Sequence, residues 1–224
     1  MSYNPFKDYE HIRDRLVQMR RVAQGEFQHS LLEDIARSAE RLKECATANP
    51  VTGYHGAREL EHDKEMYKSR RFNQDFDFFI ITMDLDKFGD FNKKYGEKVG
   101  DAVLKAVAEI LKEGTREYDF VRKKERKETM KGYHKHGEEF EVVIQAPSRE
   151  IAYLVANRLR QDLEDKSPEV TKKILRAKEG YRITATFGMT KWDVDNELFE
   201  KAEERADKRM QEGKRELRNK VYYT

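Results

Sequence analysis

The stretch Phe78–Asp101, FFIITMDLDKFGDFNKKYGEKVGD, constrains this chain more than any other. It opens with the apolar run Phe78, Phe79, Ile80 and Ile81, which predicts a strand over Asp75–Asp84 buried on both faces. Asp84, Leu85 and Asp86 follow. Alternation puts the two aspartates on one side of the strand and Leu85 on the other. Carboxylates at the end of a buried strand repel each other and resist desolvation unless a cation offsets them. The next residues predict a helix over Phe88–Tyr95, a turn at Gly96 and Gly100, and a second helix over Ala102–Lys112. On that pattern alone Asp101 is suited to be the N-cap of the second helix.

The remaining elements alternate around this strand. Residues 6–47 read as helical, with Ile12, Leu16 and Met19 and then Leu31, Ile35, Leu42 and Cys45 at steps of three and four about a break near Gly25. This segment either packs on the chain's own globular domain or serves as a dimerising helix. Asn49, Pro50 and Gly53 mark its end, which divides the chain into a helical segment, 1–48, and a larger domain, 49–224. Glu59–Arg71 predicts a charged helix, Asp119–Arg122 a short strand, and Phe140–Ile144 its hairpin partner. Ile151–Leu163 predicts a helix with Ile151, Leu154, Val155, Leu159 and Leu163 inward. Tyr181–Met189 predicts a strand, Leu198–Lys214 the last long helix and Val221–Tyr223 an edge strand. This order of elements gives an α+β fold, an antiparallel sheet with helices packed against it.

Composition narrows the class of function. Charged residues are 39% of the chain, yet the net charge is only +2. That describes a salt-bridge-laced surface and argues against a basic nucleic-acid binder. Cys45 is the single cysteine, so an intrachain disulfide or a cysteine zinc site is excluded and a cytoplasmic setting is favoured. No apolar run approaches the ~20 residues that span a bilayer, and the opening MSYNPFKDYE has no signal-peptide pattern.

A second stretch, His136-Gly137-Glu138-Glu139-Phe140, precedes the strand at Glu141–Ile144. Together with Asp84–Asp101 it resembles the GGDEF domain of diguanylate cyclases, written D-I-D-x-F-K-x-x-N-D-x-x-G-H-x-x-G-D and G-G-(D/E)-E-F. Asn49-Pro50-Val51-Thr52-Gly53 is similar to the D-x-L-T-G opening of that domain. Ala206-Asp207-Lys208 through Lys214, with Arg218-Asn219-Lys220-Val221, is similar to its closing A-D-x-A-x-Y-x-A-K-x-x-G-(R/K)-N-x-V. The resemblance implies a palm-type, nucleotidyl cyclase-like sheet.

It also implies roles for single residues. Asp84, the Leu85 carbonyl and Glu138 match metal ligands for magnesium or manganese, and Asp84, Glu138 and Glu139 the catalytic carboxylates. Asp86 is a candidate for a supporting or second-metal position. Asn92 and Asp101 match guanine contacts; a carboxylate there accepts from N1–H and the 2-amino group, which adenine lacks. Phe88, His136 and Gly137 fall at the substrate, Lys214 and Arg218 at its phosphates, and Arg116 and Asp119 in an R-x-x-D product-inhibition motif. Five positions depart from the family pattern: His136 for the first signature glycine, Gly89 for a lysine, Glu97 for a histidine, Gln211 for a tyrosine and Gly213 for an alanine. Lys123–Lys135 reads as an insertion, either a solvated hairpin arm or a basic lid over triphosphate.

The implied activity is metal-dependent condensation of two GTP into cyclic di-GMP and pyrophosphate. Each domain holds one GTP, so a homodimer, at least transient, is implied. The alternatives are a weak or inactive GGDEF-like receptor for nucleotide or cyclic dinucleotide, and a related palm-domain cyclase or polymerase of other nucleotides. Neither membrane nor nucleic acid is expected as a partner.

Overall fold

The computed structural model describes residues 12–19, 26–69, 76–121 and 130–223. Contacts divide the chain into Met1–Ala48 and Asn49–Thr224. The first unit holds α1, described over 12–19, and α2, Glu26–Thr47. Leu32 and Ala39 of α2 are buried, whereas Leu31, Ile35 and Leu42 are 50%, 41% and 72% exposed. No described helix is long and apolar enough to cross a membrane.

The second unit is a five-stranded sheet in the order β2-β3-β1-β4-β5. Its elements follow as α3 (Ala57–Ser69), β1 (Asp77–Leu85), α4 (Phe88–Tyr95), α5 (Glu97–Val121), β2 (Met130–His136), β3 (Glu139–Ala146), α6 (Arg149–Leu175), β4 (Ala185–Trp192), α7 (Phe199–Glu216) and β5 (Val221–Tyr223). Pairing is antiparallel except at the edge, where β5 runs parallel to β4. The sheet is therefore mixed rather than purely antiparallel. β1 lies at its centre and is buried on both faces, as the apolar run requires. Phe79, Ile81 and Met83 face a core built with α5 and α6. Phe78 and Ile80 face a second core with α3 and α7, closed by Tyr67, Trp192 and Phe199. Asp84 lies on this second face.

Five expectations are corrected. The strand expected over Asp119–Arg122 is not formed by its described residues, because α5 continues through Val121; the hairpin partner of β3 is β2, inside the segment read as an insertion. Lys131 of that strand is not a lid residue. It is half-buried between Glu59 Oε1 at 2.8 Å and Asp63 Oδ2 at 2.6 Å. Residues 122–129 lie outside the described residues. Gly100 and Asp101 lie within α5, which begins at Glu97, so Asp101 does not cap that helix. Val155, Leu159 and Leu163 of α6 are buried as expected, but Ile151 and Leu154 are 36% and 60% exposed, and Ala152 and Ala156 take the inward positions in their place. Finally, 181–184 are not part of β4. Their backbone is held by α6 hydroxyls: Ser167 Oγ accepts from Ile183 N at 2.9 Å and Thr171 Oγ1 from Tyr181 N at 2.7 Å. These side chains supply the partners that a neighbouring strand would have given.

Candidate functional site: an acidic strand end beneath the signature turn

Asp84 ends the central strand at 5% exposure. Its Oδ2 meets Lys214 Nζ of α7 at 2.5 Å. Its Oδ1 is buried and has no hydrogen-bond partner among the described residues. Burial pushes the carboxyl above the usual carboxylate range; Lys214 opposes this, and the negative charges of Glu138 and Glu139 add to it. The backbone explains the meeting of acids. Asp84 is opposite Glu139 in the β1–β3 register, and Leu85 N donates to the Glu138 carbonyl at 3.3 Å.

The turn carrying Glu138 is shaped from below. Gly137 adopts φ +53°, the left-handed region that favours glycine. His136 is open to solvent, its Nε2 3.4 Å from Glu139 Oε2. The buried support is His134, which sequence reasoning overlooked. Its ring stacks on Phe140 at 4.3 Å, one nitrogen meets the Gly137 carbonyl at 2.9 Å, and the other meets Thr52 Oγ1 at 3.0 Å. Burial holds this imidazole below its ordinary pKa. Thr52 is fixed in turn by Asn49, whose Oδ1 accepts from the amides of Val51 and Thr52 and whose Nδ2 donates to the His134 carbonyl. The opening motif is thus a brace for the signature hairpin. The one sequence signal for His134 is its place two residues before the turn on a strand.

Asp86 does different work from Asp84. It accepts from Thr184 Oγ1 at 2.8 Å, Thr186 Oγ1 at 2.7 Å and the Asn219 amide at 3.1 Å, with Arg218 at 3.8 Å. These bonds tie the ends of β1 and β4 to the turn before β5, where Asn219 adopts φ +58°. The structure thus places Lys214 on Asp84 and Arg218 on Asp86.

Asn92 is seated against Gly100, the residue before Asp101. A Cβ on Gly100 would lie 2.0 Å from Asn92 Oδ1, so the glycine is what lets the amide lie there. Asp101 itself is exposed. The side chain of Phe88, a residue expected at the substrate, is buried at 3% exposure and stacked on Phe91 at 5.8 Å. Its position at the start of α4 requires an apolar anchor between strand and helix. One departure from the family pattern has a local explanation: Gly213 lies under the Tyr222 ring, 2.2 Å from where a Cβ would stand. Gly89 is open to solvent, and the structure does not explain the glycine there. Arg116 and Asp119 fall on the last turns of α5, and their side chains lie outside the described residues.

The donor set fits a hard cation. Asp84 offers a desolvated oxygen with no hydrogen-bond partner among the described residues, and the backbone of Glu138 adjoins it through the Leu85 hydrogen bond. Among the described residues no three His, Cys, Asp or Glu side chains close round one point, and the cation nearest Asp84 is Lys214.

The chain matches the family described as "Diguanylate cyclase, GGDEF domain" over residues 46–220, and it belongs to that family. It is 34% identical over 142 residues to diguanylate cyclase A of Treponema denticola, covering 63% of this chain and 34% of that protein. It is 28% identical over 173 residues to the diguanylate cyclase DgcZ of Escherichia coli, covering 77% of this chain and 52% of that protein. The chain therefore spans about a third to a half of the length of these relatives. Among solved structures, the diguanylate cyclase SiaD of Pseudomonas aeruginosa, in complex with its activator SiaC, superposes with a TM-score of 0.70 at 21% identity, over 98% of this chain and 76% of that one. The coiled coil and GGDEF domain of DgcB from Caulobacter crescentus, in complex with c-di-GMP, gives 0.69 at 17% identity, over 88% and 95%. These likenesses establish the fold.

Proposed function

We propose that this chain is a metal-dependent diguanylate cyclase that joins two GTP into cyclic di-GMP and releases pyrophosphate. The observation that carries the reading is Asp84: a strand-end carboxylate with a buried oxygen lacking a partner, pressed by Glu138 and Glu139. Such a group calls for a cation. Asp84, Glu138 and the Leu85 carbonyl would hold magnesium or manganese, which when bound supplies charge stabilisation at the triphosphate. Glu139 completes the acidic set. Lys214 and Arg218, both beside this set, would bind phosphate oxygens of the nucleotide. Gly137 lets the turn backbone approach the nucleotide. Asn92 and Asp101 select guanine through its N1–H and 2-amino donors. Two chains face each other, each presenting its 3′-hydroxyl to the other's α-phosphate, so the active form is a homodimer.

One observation favours a second reading, a nucleotide receptor with little turnover. His136 stands where a glycine would leave the nucleotide more room, and its ring reaches Glu139. The test is to incubate the pure protein with each nucleoside triphosphate and magnesium or manganese, and to identify products by mass spectrometry. The cyclase reading expects cyclic di-GMP from GTP alone. Tight GTP binding with no linear or cyclic dinucleotide selects the receptor.

A further inference from the structure

The sheet face under α7 carries a second group of charges. Glu141 on β3 is fully buried, and neither of its carboxylate oxygens has a hydrogen-bond partner among the described residues. Lys135 Nζ lies 3.4 Å from it and also contacts Glu203 of α7. Asp207, one turn further along α7, faces the same ammonium. Thr82 of β1, opposite Glu141 in register, adds a buried hydroxyl that faces Asp207. Three carboxylates thus surround one lysine in a desolvated space. Burial pushes Glu141 and Asp207 up; burial also opposes the Lys135 charge, but Glu141 and Glu203 outweigh it and hold the ammonium above its usual range.

The position of Lys135 gives this group a consequence for the site. It stands at the bulge between His134 and His136, directly before the turn that carries Glu138. Bulges re-aim side chains and recur beside functional sites. Its partner Glu203 is on the helix that, about three turns later, delivers Lys214 to Asp84. A helix lying on a sheet can slide or tilt unless something pins it, and buried ionic contacts are sensitive to geometry.

We propose that Lys135 is a positioning residue. By bridging Glu141 and Glu203 it fixes α7 against the signature hairpin and so sets Lys214 relative to Asp84 and Glu138. This rests on the cyclase reading for what the site does, and on the bridge alone for how it is held.

The test replaces the buried pair by apolar side chains of similar length, Lys135→Met with Glu141→Met, since exchanging a buried ion pair for well-packed apolar groups is often neutral or stabilising. Thermal unfolding, Mn2+ affinity by electron paramagnetic resonance with a non-hydrolysable GTP analogue present, and kcat and KM for GTP are compared with the parent. The expected variant melts somewhat below the parent, because Glu203 and Asp207 lose the ammonium they face, yet it stays folded; it binds Mn2+ about 10–100-fold more weakly and loses about 100-fold in kcat with KM less affected. A folded double variant with the parent's Mn2+ affinity and kcat overturns the proposal, leaving the bridge a purely structural contact. Should the double variant fail to fold, Lys135→Arg keeps the charge but changes its geometry. It is expected to fold and lose kcat, and parent-like kcat in it overturns the proposal equally. A parent that binds Mn2+ but makes no dinucleotide refutes the cyclase reading, and the Mn2+ comparison still decides the bridge. A parent that binds no Mn2+ overturns the proposal, since there is then no site to position.

Discussion

Replacing Gly100 by alanine separates stability from recognition, because the two should move in different directions. Gly100 lies within α5 with no positive φ, so alanine is compatible with its backbone. In a helix interior that exchange favours folding by about 0.8–1 kcal/mol. The added Cβ would stand 2.0 Å from Asn92 Oδ1 and 2.9 Å from its Cγ. Those atoms end a flexible side chain, so the amide swings away while the backbone stays. Repacking offsets part of the helical gain, and the melting temperature should stay within about 4 °C of the parent. Asn92 meanwhile loses its seat against position 100. A hydrogen bond to guanine lost this way is worth about 0.5–1.5 kcal/mol, or roughly two- to twelvefold in Kd. Calorimetric titration with a non-hydrolysable GTP analogue, paired with a thermal melt, reads both quantities. Asn92→Ala should weaken binding by a similar factor, and the double variant by no more than either alone. A stable Gly100→Ala protein that binds the analogue as tightly as the parent would refute the role given to Asn92.

Three further outcomes are expected. Burial holds the Asp84 carboxyl above its usual range, so it keeps its proton to higher pH than an exposed aspartate. The proton competes with the metal, so Mn2+ affinity should rise with pH above the ordinary carboxylate range and level off once Asp84 is ionised. A pH-independent Mn2+ titration would contradict this. Asp101→Ala should weaken GTP binding while leaving ATP binding nearly unchanged; equal losses would show that the carboxylate does not read the base. His134→Ala strips the ring from Phe140 and leaves Thr52 Oγ1 and the Gly137 carbonyl without it, costing about 3 kcal/mol. The same variant should lose Mn2+ affinity because the signature turn is no longer braced, and an unchanged melting temperature would sink the brace.

What the sequence made legible was what local pattern controls. The apolar run at Phe78–Ile81 specified a strand buried on both faces, and Phe88–Tyr95 and Val221–Tyr223 form the helix and edge strand expected of them. What stayed hidden was set by distant partners. β2 was obscured because a run as charged as KKERKETMKGYHK normally signals solvent. Here Lys131 is neutralised by Glu59, 72 residues away, and Lys135 by Glu203, 68 residues away. Neither pairing is visible in a local window. Gly96 and Gly100 together suggested a turn, but only Gly96, at φ +88°, uses the freedom of glycine; Gly100 serves the close approach of Asn92. At the site, the motif positions pointed to Asp84 and Glu138. The capture of Asp86 by Thr184, Thr186 and Asn219 depends on three segments meeting, and no spacing announced it.

The central claim, that the acids gathered at the end of β1 make this chain a cyclase acting as a pair, is tested most directly by the initial rate of cyclic di-GMP formation against chain concentration, for the parent and for Glu138→Gln. The account predicts that the parent's rate per chain climbs with concentration and then saturates as dimers fill. It predicts that Glu138→Gln, folded and still able to bind GTP, makes no product at any concentration. A rate per chain that does not depend on concentration, or product from Glu138→Gln at the parent's rate, would contradict it.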